Sequence, residues 1–484
     1  MKLREIIFDS EIPYSTLSPE TEVTGIALRA PDVAMGNLYI VTNPDKADFH
    51  LLRARPSAII CDERTAVPDE LKENTERCDL PRRLAARAYA RFCQIDFSAV
   101  KFIGITGTNG KTTTSVMLKK ILCDAGYKIG YIGTGKIEIC GKTVSGDYYS
   151  MTTPEPPVLY PAIKEMIDAG CEVIVMEVSS HALALDRVEP IPFEYGIFTN
   201  LSPEHTDFHP DMEDYFLAKS RLMSSSVVGV FNVDDTYSRR AARAFNGRRI
   251  TVGVLWKGEI YAKDIELCGL GGTKYIYRAR GFSFMIKLGI PGIFNVYNSM
   301  LALAVAIDMG VRPCKAKESL ASFVGVPGRY EIIKGDVTVI IDYAHTAVAF
   351  ENMLKSLNTV KIPKQKLTIV FGCGGERDRR KRPAMGAVAA KYADLCYLTS
   401  DNPRGEDPLK IIEEIIAGFD SQSYVIEPSR ESAIRKAILS SPDGGIVAVI
   451  GKGAEKYTLD ADGYHSFDER KIIEAALAER ESQK

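Results

Sequence analysis

From residue 101 onward, short apolar runs alternate with longer stretches of helical period, the pattern of buried parallel strands covered by helices. Strands are predicted at 102–105, 173–177, 196–199 and 229–232, and helices at 112–125 and 292–309. Residues 250–290 instead alternate polar and apolar positions, with glycines at 269, 271 and 272, and are predicted to be antiparallel hairpins. After Val326, Pro327 and Gly328 the strand–helix alternation resumes, with strands at 337–342, 367–372, 395–399, 425–427 and 446–451. The first 97 residues carry strand-like runs at 36–42 and 58–61 and an Ala/Arg-rich helix near 82–94. The pattern predicts an α/β protein of three domains, 1–97, 98–326 and 327–484, the last two each built on a largely parallel sheet.

The strongest local chemistry lies at 104–114, GITGTNGKTTT. A strand feeds a glycine-rich turn that opens a helix, so successive backbone N–H groups can face a phosphate chain. Lys111 supplies a point charge for terminal phosphates and Thr112 a hydroxyl for Mg²⁺. One departure stands out: the general phosphate-loop pattern has Gly five residues before Gly110, where this chain has Ile105. Glu177 ends the 173–177 strand, and carboxylates at that end of an open α/β sheet meet metals and ligands. The next strand runs into TNLSPEHTDFH (199–209), where two of the chain's six histidines, His205 and His209, make a metal ligand beside Glu177 a direct expectation. Lys219 lies on an amphipathic run, 214–223, and by itself reads as a solvated or snorkelling lysine.

Composition narrows the class. At 484 residues, 45% apolar and 26% charged, the chain fits a globular protein of several cores. A net charge of −2 offers no basic field for nucleic acid or anionic membrane. Ten scattered cysteines without a CxxC pair read as reduced thiols. Neither an apolar leader nor a run of 18 apolar residues is present, so a cytoplasmic protein is expected, bound to neither nucleic acid nor membrane.

TGTNGKTTT, EVSSHAL, TNLSPEHTDFH, YFLAKSRLM, GIFNVYNS, VPGRYE, IDYAHT, CGGERDRRKRP, DNPRGEDP and GKGAEKY follow one another in this order, and together they resemble the Mur ligase family over about 100–470. The resemblance implies a UDP-sugar domain, a central P-loop ATPase and a Rossmann-like C-terminal domain for the incoming amino acid, acting as a monomer. It implies an ATP- and Mg²⁺-dependent ligase that makes an acyl phosphate and captures it with an amine. ATP would be held by Gly107, Thr108, Asn109, Gly110, Lys111, Thr112 and Thr113, with Asn295, Asn298, Arg329 and Asp342 around the nucleotide. Mg²⁺ would lie near Thr112, Glu177, His205 and Lys219, the last carbamylated; Lys111, Glu177, His205 and Lys219 form the implied catalytic set. Thr152, Thr153, Ser179 and Arg187 match the acceptor pocket. Arg382, Asp401, Asn402, Pro403, Arg404, Gly451 and Glu455 match the amino-acid pocket. The DNPR form (401–404) resembles that of members adding meso-diaminopimelate to UDP-N-acetylmuramoyl-L-alanyl-D-glutamate in peptidoglycan precursor synthesis. An arginine there suits bidentate capture of a second carboxylate.

The N-terminal domain departs from the family: its usual Asp-Ser-Arg falls on Arg29, Ala30 and Pro31, and its Gly-rich segment is replaced by 42–48. In the stem-peptide pocket two polar family positions are Met151 and Leu185. These losses leave open an alternative: a paralogous ligase using the same activation on a different carboxylate acceptor.

Overall fold

The structure, a computed structural model, describes residues 1–12, 16–144, 151–204, 208–420 and 423–483. Three main sheets carry the architecture. Residues 25–77 form a four-stranded parallel sheet (Gly25–Ala27, Asn37–Ile40, Ala58–Cys61, Thr75–Arg77), and helix Pro81–Phe92 packs on it through Leu84, Ala85 and Ala88. Two of these strands, the first and the last, are three residues long, too short to leave a periodic signature.

The central sheet has eleven strands among the described residues. Its core runs Arg248–Gly253, Ser226–Asn232, Phe193–Phe198, Lys101–Thr106, Val173–Glu177, Ile129–Gly133, all parallel. Helices Lys111–Asp124 and Ile293–Asp308 cover one face with Met117, Leu118, Met300 and Leu301, and the opposite face packs against Tyr160, Ile163 and Met166. The 250–290 region corrects the hairpin expectation in part. Arg248–Gly253 pairs in parallel with both Ser226–Asn232 and Ile260–Leu267, and only Thr273–Ala279 and Phe282–Leu288 add as antiparallel strands. Alternating polarity marks a strand with one wet face and does not reveal whether its neighbour is parallel.

The third sheet orders Glu331–Ile333, Thr338–Asp342, Ile446–Ile450, Leu367–Phe371, Leu395–Leu398, Tyr424–Ile426, parallel except for its first strand. Strands Leu367–Phe371 and Ile446–Ile450 are buried at every position, which is why they read as unbroken apolar runs. The C-terminal ends of the central and third sheets border a shared cleft, the ordinary position for ligands in open α/β sheets. No helix among the described residues is long and apolar enough to cross a membrane.

Candidate active site

The phosphate loop lies between strand Lys101–Thr106 and helix Lys111–Asp124, with Gly110 as the helix N-cap. Ile105, the departure from the phosphate-loop pattern, is a fully buried strand residue in the core, so the turn proper starts one residue later, at Thr106–Gly107. Gly107 has φ +144, and a Cβ there would fall 1.9 Å from Thr199 Oγ1. The adjacent strand end buttresses the loop. Thr199 Oγ1 and Asn200 Nδ2 donate to the Asn109 carbonyl (2.7 and 3.0 Å), while Asn109 N donates to Asn200 Oδ1 (3.0 Å). Gly107→Ala is therefore expected to displace the loop and cost on the order of 10²-fold in kcat/KM for ATP, measured by steady-state kinetics.

Lys111 Nζ donates to the Gly107 and Thr108 carbonyls, each at 2.8 Å, and Lys219 Nζ, buried, donates to the same Gly107 carbonyl at 2.9 Å. Burial pulls the Lys111 ammonium below its usual pKa, against the opposing charges of Glu204 and Glu177. Lys219 is pulled much further down, by burial first and then by the Lys111 charge. A solvated lysine is thus the wrong picture of Lys219: its helix, Met212–Ser224, turns the side chain inward under the loop.

Glu177 is held on four sides. Tyr131 OH and Thr134 N donate to Oε1 (2.9 and 3.1 Å), and the Thr112 and Thr134 hydroxyls donate to Oε2 (2.8 and 3.3 Å). Thr113, buried, follows on the loop helix. Further along the cleft, Thr114 Oγ1 donates to Asn298 Oδ1 at 3.3 Å, and Asn298 Nδ2 donates to Asn295 Oδ1 at 3.2 Å. Opposite them, the Arg329 guanidinium lies 4.1 Å from the Tyr343 ring centroid. Asp342 accepts from Tyr330 N and Ala344 N (2.7 and 2.8 Å), and burial pushes its pKa up. His345 Nε2 meets Glu204 Oε1 at 3.0 Å, joining the C-terminal and central segments across the cleft. His205 lies outside the described residues.

Among the residues expected around the acceptor, Thr152 Oγ1 lies 3.2 Å from Thr134 Oγ1, so this segment reaches the Glu177 cluster. Thr153 is buried: its hydroxyl donates to the Glu177 carbonyl (2.9 Å) and accepts from Ser179 N (3.0 Å). Arg187 donates to the Thr153 carbonyl at 3.0 Å and pairs with Glu155.

Among the residues expected around the amino acid, Asn402 Oδ1 accepts from fully buried Lys452 (2.6 Å), with the Asp401 and Glu455 carboxylates 3.7 and 3.8 Å from that ammonium. Burial, then the Asp401 charge, pushes the Glu455 carboxyl up. Gly451, at φ +125, leaves room for Asp401, whose Oδ2 would lie 2.7 Å from a Cβ there. The Pro403 carbonyl packs against Gly375. Arg404 Nη1 donates to the Gly375 and Asn402 carbonyls (2.7 and 3.3 Å), which fixes the guanidinium at the mouth of the sheet.

Arg382, expected at the amino-acid pocket, is 0% exposed and lies beneath the DNPR turn, where its two terminal nitrogens pair with Glu406 (2.9 and 3.0 Å), Glu414 (2.9 Å) and the Gly374 carbonyl (3.2 Å). Arg382→Ala would leave Glu406 without its arginine while Glu414 keeps Arg379, and hydrogen bonds to charged groups contribute about 1.5–3 kcal/mol each. The expected result is a lowered Tm by calorimetry, larger than any selective rise in KM for the amine. Hydrogen bonds from Arg382 hold the Glu406 carboxyl at about 2, below its usual 4.5. This contribution to stability is full above pH 4.5 and fades as pH falls through about 2.

Comparison with known proteins follows the same outline. The Mur ligase middle domain matches residues 105–306, and the Mur ligase, glutamate ligase domain matches 328–453. The chain is 36% identical over 489 residues to UDP-N-acetylmuramoyl-L-alanyl-D-glutamate--2,6-diaminopimelate ligase 1 of Clostridium acetobutylicum, covering 99% of this chain and 100% of the relative. It is 38% identical over 466 residues to the corresponding ligase of Aquifex aeolicus, covering 94% of each. The chain belongs to the Mur ligase family. It is an ATP-dependent, ADP-forming amide ligase. Among solved structures, a UDP-N-acetylmuramoyl-L-alanyl-D-glutamate--2,6-diaminopimelate ligase superposes with a TM-score of 0.68 at 28% identity, covering 99% of each chain. The MurF ligase of Thermotoga maritima in complex with ADP shares the fold, at a TM-score of 0.62 and 18% identity over 96% of this chain and 99% of that one.

For a ligase of this family the two lysines make chemical sense. Half-buried Lys111 and buried Lys219 meet at one loop carbonyl, and a triphosphate would supply the negative charge that offsets them. Several groups that shape this Mur ligase site escaped sequence reasoning. Tyr131 and Thr134, which orient Glu177, sit on a strand and turn with no motif around them. Thr199 and Asn200 were visible as polar residues at a strand end, the only hint that they brace the loop. Lys452 stands inside the GKG run, and nothing but burial separates it from a surface lysine.

Proposed function

We propose that this ligase joins meso-diaminopimelate to the glutamyl carboxylate of UDP-N-acetylmuramoyl-L-alanyl-D-glutamate in peptidoglycan precursor synthesis, in the cytoplasm. The observation that carries the reading is the end-to-end match to relatives named for that reaction, with the arginine of DNPR fixed at the amino-acid pocket. In the first step the acceptor carboxylate, lined up by the Thr152–Arg187 side of the cleft, attacks the γ-phosphorus of ATP. ADP leaves and an acyl phosphate forms. Lys111 and the loop N–H groups bear the charge that develops on the phosphoryl oxygens. In the second step the amine attacks the acyl carbon, expels phosphate and gives up a proton. Asp401 and Glu455 offer negative charge to the ammonium of the free diamino acid, and Arg404 offers a guanidinium to its far carboxylate.

Thr112 and Glu177 would hold Mg²⁺, together with His205 and a carbamylated Lys219. Their oxygens, 2.8 Å apart, are hard donors of the type this ion takes. Among the described residues no three His, Cys, Asp or Glu converge as a metal cage. When bound, Mg²⁺ would neutralise charge on the bridging phosphate oxygens.

Carbamylation needs a neutral amine, and the burial that lowers the Lys219 pKa favours that form. Protein equilibrated with ¹³C-bicarbonate is expected to show one carbamate carbon resonance. In Lys219→Ala the resonance and nearly all turnover should disappear. An unlabelled Lys219 in fully active enzyme would remove the modification from the proposal.

A second reading, ligation to a different carboxylate acceptor, is favoured by the N-terminal segment. Arg29 there pairs with Asp32 (Nε to Oδ2 2.7 Å), and Ala30 is buried and has no polar side chain, so the family's Asp-Ser-Arg set has no counterpart at these positions. ATP turnover measured on acceptors with and without the UDP group decides between the two. Turnover confined to acceptors lacking UDP would overturn the first reading.

A further inference from the structure

Strands Lys136–Ile139 and Lys142–Val144 are joined by the two residues Cys140 and Gly141, with Ile139 opposite Lys142. Both linking residues have positive φ, +48 and +83, as a type I′ hairpin turn demands. Asn or Asp is favoured at the first position because its short polar side chain tolerates the left-handed region. A thiol brings no such local benefit, so the turn itself gives no reason for cysteine.

The side chain points to a different reason. Cys140 Sγ lies 3.6 Å from the Sγ of Cys171, two residues before strand Val173–Glu177. Cys140 is exposed and Cys171 is buried. We propose that Cys140 and Cys171 are an oxidisable pair that closes to an intramolecular disulfide when the protein meets a peroxide. Peroxide oxygen is transferred to the Cys140 sulfur, giving a sulfenic acid and one water. The Cys171 sulfur then attacks the Cys140 sulfur, and the hydroxyl leaves with the Cys171 proton as a second water. Two thiols have given up two electrons, and the peroxide O–O bond has been reduced to two waters.

Exposure decides which sulfur reacts first. Cys140 is open to the oxidant, whereas burial and the neighbouring Cys140 thiol push the Cys171 thiol up to about 12. Bond formation requires the sulfurs to approach by only ~1.5 Å from their present 3.6 Å, within reach of side-chain rotation and a shift of the two-residue turn. The cross-link would fasten the edge hairpin of the central sheet to the strand that carries Glu177. The chain it encloses includes Thr152 and Thr153.

The experiment uses the full-length reduced protein treated with hydrogen peroxide, then alkylated and analysed by intact mass and peptide mapping. The expected product has lost about 2 Da, contains a Cys140–Cys171 peptide, and reverts with dithiothreitol. Cys123 on helix Lys111–Asp124 is exposed and close enough for Cys140 to influence it, so Cys123→Ser serves as a control and should still form the bond. Cys171→Ser should stop at a Cys140 sulfenic acid that a 1,3-dione traps, and Cys140→Ser should give neither product. All three variants should retain basal ligase activity, since none of these cysteines borders the cleft; that activity also shows they are folded. Peroxide driving Cys140 to sulfinic acid without cross-linking, or pairing it with Cys123, would overturn the proposal.

Discussion

Lys111→Ala is expected to lose on the order of 10³-fold or more in kcat for ATP-dependent ligation while keeping its circular dichroism spectrum and Tm close to those of the parent protein. The size of the effect follows from position. The Lys111 ammonium sits on the carbonyls of Gly107 and Thr108 and lines the shared cleft, where the loop would present it to the terminal phosphates. A charge in such a place is worth far more in the transition state than in solvent. The fold should tolerate its loss, because a half-buried cation that rests only on carbonyls stabilises little and is costly to desolvate. A second consequence separates this account from simple loss of ATP affinity. The Lys111 charge helps to depress the Lys219 pKa, so its removal should let that pKa rise. Carbamate occupancy at Lys219 should then fall at neutral pH and recover as pH is raised, visible by ¹³C NMR in the Lys111→Ala protein. Near-parental turnover in a folded Lys111→Ala variant would sink the phosphate-loop assignment.

How much of this was legible beforehand depends on whether the physics is local. The loop was readable because strand, glycines, lysine and threonine are contiguous, and backbone geometry alone brings them to one point. Lys219 was not readable from its own surroundings: its helix has polar residues on both sides, and only the contact with Gly107, 112 positions away, shows that it is buried. The inward turn of Arg382 was hidden for the opposite reason. Four arginines stand between 377 and 382, and the sequence does not say which one the start of helix Lys381–Tyr392 turns inward. The answer lies in Glu406 and Glu414, which reach it from the next loop and helix. Likewise, nothing near Tyr131 announces that its hydroxyl orients Glu177, 46 residues on. Parallel sheets bring such distant residues together by register, and register follows from the packed faces of the whole sheet.

The sharpest expected selectivity concerns the amine. If Arg404 receives the far carboxylate of meso-diaminopimelate, L-lysine leaves that guanidinium unsatisfied and should be a poor substrate. Removing one partner of a desolvated charge pair costs about 2–5 kcal/mol, which is roughly 30-fold to several thousand-fold in kcat/KM. Part of the guanidinium is already committed: Nη1 holds the Gly375 and Asn402 carbonyls, so the remaining N–H groups are presented in a fixed direction rather than on a loose arm. That anchoring favours the upper part of the range, since little side-chain freedom is lost on binding. The backbone constrains the choice of variant. Arg404 has φ +52, in the left-handed region, so Arg404→Asn tests the charge with less backbone penalty than Arg404→Ala. Both should lose most of the preference, chiefly by slowing the diaminopimelate reaction, with little change in KM for ATP. The assay must use whichever acceptor proves competent, because the segment around Arg29 and Ala30 is built on a different sheet from DNPR and its failure to read UDP would not touch this pocket. Equal kcat/KM for lysine and diaminopimelate in the parent protein would mean that Arg404 serves the turn alone. The diamino acid would then be withdrawn, while the phosphate loop, Glu177 and the ligase chemistry would stand.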